Sequence, residues 1–197
     1  MAVTKLSVIN AMLASIGMDA LTANDTSHPR YIAASVKYDE INREFQSAGW
    51  WFNRTVVTLQ QNAEGEVPFS SDIMHLDPFD HSKVYVMRNL RLYNLTDATF
   101  VIGEDVKCRV VYELPYEEMP PSVQGYLKAL ARHDFYVDQD GSQPKLDRYE
   151  RMAALAFDKV SREHLKNADV NMLSGSHGLW FRTRYHPVNR ASARQPT

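Results

Sequence analysis

Residues 41–53, INREFQSAGWWFN, decide how this chain is read. An amphipathic helix enters the segment and stops at Gly49, the residue type that most readily takes the left-handed geometry a helix C-terminus favours. Three consecutive aromatics follow. Trp50, Trp51 and Phe52 at a helix-to-strand boundary are expected to close a core between two elements or to face a neighbouring subunit. Stacking on bases or sugars is the alternative use of the same rings.

Working outward toward the N-terminus, Pro29 offers the first position of this helix. Tyr31, Ala34, Tyr38, Ile41, Phe45 and Ala48 then recur in steps of three and four, one continuous apolar stripe. Ahead of a polar loop around 22–27, Leu6, Ile9, Leu13 and Ile16 predict another helix, with Thr4 or Ser7 as its cap and Gly17 at its end. Asn10 and Ser15 interrupt that N-terminal apolar segment, so it is read as a retained helix rather than a signal peptide.

Beyond Trp51 the rhythm changes. VVTL, KVYVMR, RLYNL, TFVI and VKCRVVYEL are β-branched or aromatic runs separated by Gly, Asp, Asn and Pro, which predicts four to six short strands between 51 and 114. Pro120 and Pro121 then open a third helix with Val123, Leu127, Leu130 and Ala131 on its buried side, ending at Asp140 and Gly141. A fourth, long and mostly solvated helix runs from about 143 to 167, with Tyr149, Ala153, Ala156 and Val160 on one face. After Val170 there is no acidic residue, but there are four arginines, Arg182, Arg184, Arg190 and Arg194, beside the aromatic segment GLWFRTRYHP.

The expected fold is therefore α+β. Helix pairs from the two ends of the chain, 1–50 and 115–170, form one bundle. A β-rich region, 51–114, is inserted between them, and 171–197 form an extended basic and aromatic arm. In the arm, Trp180, Phe181, Arg182, Arg184 and Tyr185 are the residue types that anchor protein interfaces, and they are the candidate contact with a partner or a neighbouring copy.

Composition narrows the function classes. At 197 residues, 44% hydrophobic and 23% charged, the chain is an ordinary globular one. No apolar run reaches the roughly 18 residues a membrane span needs. A formal net charge of −2 gives no global attraction for nucleic acid. A single cysteine allows no internal disulfide; Cys108 shares a strand face with Val106 and Val110, as a small core residue would. The sequons at Asn53 and Asn94 are read as incidental.

Candidate chemistry is sparse. Asp72, His75, Asp77, Asp80 and His81 form the densest metal-capable cluster, but without a recognised ligand spacing they read as a polar loop. Glu113, Glu117 and Glu118 are the carboxylates a glycosidase or peptidoglycan-cleaving enzyme would use as an acid and base pair, and a solvated loop is the alternative. Gly175 and Gly178 lack the lysine and the strand-to-helix setting of a phosphate loop. No catalytic residue, metal or cofactor is expected.

NAMLASIG at 10–17, INREFQSAGWWFN at 41–53, YELPYEEMPP at 112–121 and NMLSG at 171–175 resemble, in order and spacing, the tail tubular protein A family of short-tailed, podovirus-type bacteriophages. The resemblance covers nearly the whole chain. It implies a structural virion protein that forms a twelve-subunit ring, the head-to-tail adaptor or gatekeeper, beneath the portal protein and above the nozzle of tail tubular protein B. It further implies a tail-fibre contact, a part in tail assembly, genome retention and DNA ejection, and genomic DNA that passes the ring without specific binding. The location it implies is the virion tail, reached from the host cytoplasm during assembly.

Overall fold

Two kinds of apolar pattern, one with helical steps and one alternating, build two separate cores. A computed structural model of the chain describes residues 4–22, 27–139 and 141–167. Helix α1 spans Lys5–Ser15 and buries Val8, Ile9, Met12 and Leu13. It ends as the sequence predicts, with Gly17 at φ 79° and the Met18 amide returning to the Leu13 carbonyl. Its start differs from expectation. Thr4 occupies the cap position, but neither its side chain nor that of Ser7 caps the helix; the Ser7 amide bonds the Thr4 backbone carbonyl instead.

Helix α2, Pro29–Ser47, begins on its proline and buries Tyr31, Ala34, Tyr38, Ile41 and Phe45, the stripe read from the sequence. Helix α3, Pro121–Val137, likewise opens on a proline. It stops three residues before Asp140 because the chain folds back at once: the Gly141 amide reaches the Tyr136 carbonyl, and the Ser142 amide donates to the Tyr136 hydroxyl. Helix α4 then runs from Gln143 to Asn167. α3 is the centre of the bundle and packs on α1, α2 and α4. The shared core includes Ile9, Leu13, Tyr38, Phe45, Leu127, Phe157 and Val160.

Between α2 and α3 lie five strands: β1 Arg54–Leu59, β2 Ile73–Pro78, β3 Tyr85–Arg88, β4 Arg91–Asn94 and β5 Val106–Tyr112. β5 is the middle of a three-stranded antiparallel sheet ordered β1-β5-β2, and β3 and β4 form a separate hairpin. The hairpin turns through Asn89 and Leu90, both at positive φ, the geometry that a tight two-residue turn between twisted strands requires. Val67, Ile73, Leu92, Val106, Cys108 and Val110 form the second core.

Two details correct the sequence reading. TFVI is not a strand; Thr99 and Val101 make only isolated bridges, because Ala98 at φ 53° turns the chain between them and β4. β2, IMHLDP, lies outside the runs that predict strands, because its charges and proline give it the composition of a loop. Pro78 and a bulge between Ile73 and His75 fit an edge strand, where a broken ladder limits unwanted pairing. Among the described residues, no helix is long and apolar enough to cross a membrane.

Candidate functional site

The segment that leaves the bundle, Gly49–Asn53, and the segment that returns to it, Tyr112–Leu114, meet at one place. Gly49 sits at φ 73°, and a Cβ there would lie 3.0 Å from Val111 Cγ2, so both backbone sign and space call for glycine. Trp50 is 1% exposed. Its ring stacks on Phe45 with centroids 4.6 Å apart, and it meets Phe157 and His164 edge-on. Its Nε1–H donates to the Phe45 carbonyl at 2.7 Å, so the one polar atom of the indole is satisfied inside the core. Trp51 and Phe52 are half-buried and pack edge-to-face against each other at the margin of the same core.

Two buried amide side chains lock the crossing. Gln46 lies on the last turn of α2 and is 0% exposed. Its Nε2 donates to the Leu114 carbonyl at 3.0 Å, and its Oε1 accepts the Leu114 N–H at 2.8 Å. Asn53 accepts the Trp50 N–H at 2.8 Å and donates to the carbonyls of Gln46 and Tyr112 at 3.0 and 2.9 Å. Backbone groups stranded between a helix end and a strand start are thereby paired away from water. Because the Asn53 amide is spent here, its sequon is structural. Asn94 is also buried, its side chain bonded to Asp97 and the Thr96 amide.

His164, 4% exposed near the end of α4, closes the junction from the other side. The Trp51 N–H donates to its Nδ1 at 3.3 Å, which leaves the ring proton on Nε2. Burial, together with the nearby Arg54 guanidinium, depresses its pKa from 6.5 to about 4. An unfolded chain therefore binds a proton here at higher pH than the folded one does. Stability is complete above pH 6.5 and falls as pH drops toward 4, by about 3 kcal/mol in total if this residue acts alone. His164→Asn, which keeps an acceptor and cannot charge, is expected to flatten that slope. Unfolding midpoints measured from pH 7.5 to 4 would show it, and an unchanged slope would assign the acid sensitivity elsewhere.

The other candidates are placed as follows. His75 and Asp77 lie on β2; Asp77 faces Arg109 at 3.7 Å, while Asp80 caps the Ser82 amide. Among the described residues, no three His, Cys, Asp or Glu side chains gather as a metal would need. Glu113 pairs with Arg43 at 3.2 Å, and Glu117 accepts the Lys5 backbone N–H at 2.8 Å. Both line an open cleft of about 330 Å³ with Lys5, Asp39, Tyr38 and Tyr116. Burial lifts the Tyr116 hydroxyl to about 12 and the Tyr38 hydroxyl further, so neither ionises at neutral pH. Cys108 is buried, and its thiol is pushed up to about 11, mainly by desolvation, which makes it unreactive. Gly175, Gly178 and the arm residues Trp180, Phe181, Arg182, Arg184 and Tyr185 lie outside the described residues.

What this geometry supplies is a hydrogen-bonded crossing between the bundle and the inserted strands. The tail tubular protein family matches residues 6–177, across both the bundle and the inserted strands, and the chain belongs to this family. It is similar to Tail tubular protein A of Klebsiella phage KP34, with 26% identity over 165 residues that cover 83% of this chain and 88% of that protein. It is a structural component of the bacteriophage tail.

Proposed function

We propose that the chain is the adaptor that joins the head to the tail, a ring of twelve subunits seated beneath the portal and above the nozzle of tail tubular protein B. The observation that carries this reading is the family match over residues 6–177, which takes in the bundle, the insertion and the locked crossing between them. In this reading 1–50 with 115–170, 51–114, and 171–197 act as three units. The bundle makes the portal and ring contacts, and the inserted strands meet the nozzle and the tail fibres. The ring forms in the host cytoplasm during assembly and remains in the virion tail, retaining the genome and then passing it. Twelve copies at −2 sum to about −24, which suits a channel through which DNA slides without sticking.

The test is to mix the purified chain with its cognate portal ring and weigh the complex. Twelve chains of 22.6 kDa would add about 271 kDa. No added mass from folded protein would overturn the adaptor role. Exchanging the loops of the strand region is expected to block nozzle assembly while leaving that added mass intact; normal nozzles would refute this assignment of faces.

The arm is proposed to grip the portal or the next subunit through Trp180, Phe181, Arg182, Arg184 and Tyr185. It carries four arginines and no acid, whereas the preceding 170 residues carry 18 basic and 24 acidic side chains. Removing residues 176–197 is expected to weaken portal binding by about 100-fold or more, the scale of losing two aromatic or arginine anchors. Unchanged binding would dismiss the arm as the anchor.

A further inference from the structure

Two helices of the bundle each present a ribbon to solvent that joins apolar to charged side chains, and the two ribbons carry opposite charge. On α2, opposite its buried stripe, Ile32, Val36, Glu40 and Glu44 follow one another in steps of four, all exposed; Val36 is 54% exposed. On α4, Arg148, Met152, Leu155, Lys159 and Arg162 do the same in steps of four and three, opposite Ala153, Phe157 and Val160; Leu155 is 65% exposed. Among the described residues, packing does not explain a pair of exposed aliphatics on a charged helix face. Among the described residues, no ion pair engages Glu40, Glu44, Lys159 or Arg162.

We infer that the α2 ribbon of one copy docks on the α4 ribbon of the next. The inference rests on the ring reading above and specifies its contact. A ring needs two different, complementary surfaces on each subunit, and these ribbons are different and complementary. Helix geometry gives the register. At 1.5 Å per residue, with Ile32 and Val36 set against Met152 and Leu155, Glu40 and Glu44 fall roughly 9 and 15 Å along the axis. Lys159 and Arg162 fall at roughly 8 and 13 Å, so acid meets base beside an apolar centre. Apolar contact supplies attraction, while the charges fix partner and register.

Charge reversal tests it on the assembled ring. E40K/E44K and K159E/R162E are each expected to reduce ring formation on the cognate portal by about tenfold or more, since like charges then face each other. The chain carrying all four substitutions is expected to regain the ring, because both faces have exchanged sign. A second measurement does not depend on affinity: V36C/L155C, with Cys108 buried, should form a ladder of covalent multimers with a short bis-maleimide. Wild-type protein that adds no ring mass would overturn the adaptor reading and this contact with it. A wild-type ring that both reversed variants reproduce, with no ladder, would overturn this contact alone.

Discussion

Trp50→Ala is expected to cost about 3–5 kcal/mol, the loss typical of removing a large buried aromatic from a core that cannot collapse onto the void. The indole is 1% exposed and touches Phe45, Phe157 and His164, so its absence opens a cavity shared by α2, α4 and the crossing to the sheet. Against a total stability that is commonly 5–15 kcal/mol, this is a large fraction. For a chain of this size it corresponds to a drop of about 10 °C in Tm. Trp50→Phe should cost much less, because it keeps most of the packing and loses chiefly the bond to the Phe45 carbonyl. Calorimetry on the two variants decides the matter: equal losses would make the hydrogen bond, rather than ring volume, the main contribution.

Asn53→Leu is the companion case, similar in size and opposite in character. It would leave the Trp50 N–H and the Tyr112 carbonyl without the partner that now bonds both, and the Gln46 carbonyl with the Gly49 N–H alone. Each buried group so stranded costs about 1–3 kcal/mol, so the expected loss is about 3–5 kcal/mol despite the added hydrophobicity. A Leu variant as stable as wild type in urea titration would mean that water reaches the crossing and replaces the amide. The same reasoning makes Gln46 intolerant of apolar replacement.

The helices were legible because their stripes are long and periodic. Tyr31, Ala34, Tyr38, Ile41 and Phe45 say where α2 faces before any coordinate is seen, and Pro29, Pro121 and Gly17 mark its start, the start of α3 and the end of α1. β2 was not legible, because a bulged edge strand carrying His75, Asp77 and Pro78 has the composition of a loop. Those residues looked like metal ligands for the same reason that they hid a strand. The aromatic run at 50–52 marked the boundary between elements. The burial of Gln46, Asn53 and His164 was not legible, since a buried polar residue is recognisable only by its partners, and each of these has one that lies 68, 59 and 113 residues away in sequence, respectively.

The central position of α3 has a consequence for synthesis. α1 and α2 leave the ribosome with their stripes exposed, and the helix that covers both begins only at Pro121, about 70 residues after Ser47. At typical translation rates of about 5–20 residues per second, that interval is roughly 4–14 s. The three-stranded sheet cannot close in the meantime either, because its middle strand, β5, is the last of its strands to emerge. The nascent chain must therefore carry two half-built cores at once: β5, Val106–Tyr112, closes the sheet first, and the bundle core is complete only when α4 adds Phe157 and Val160.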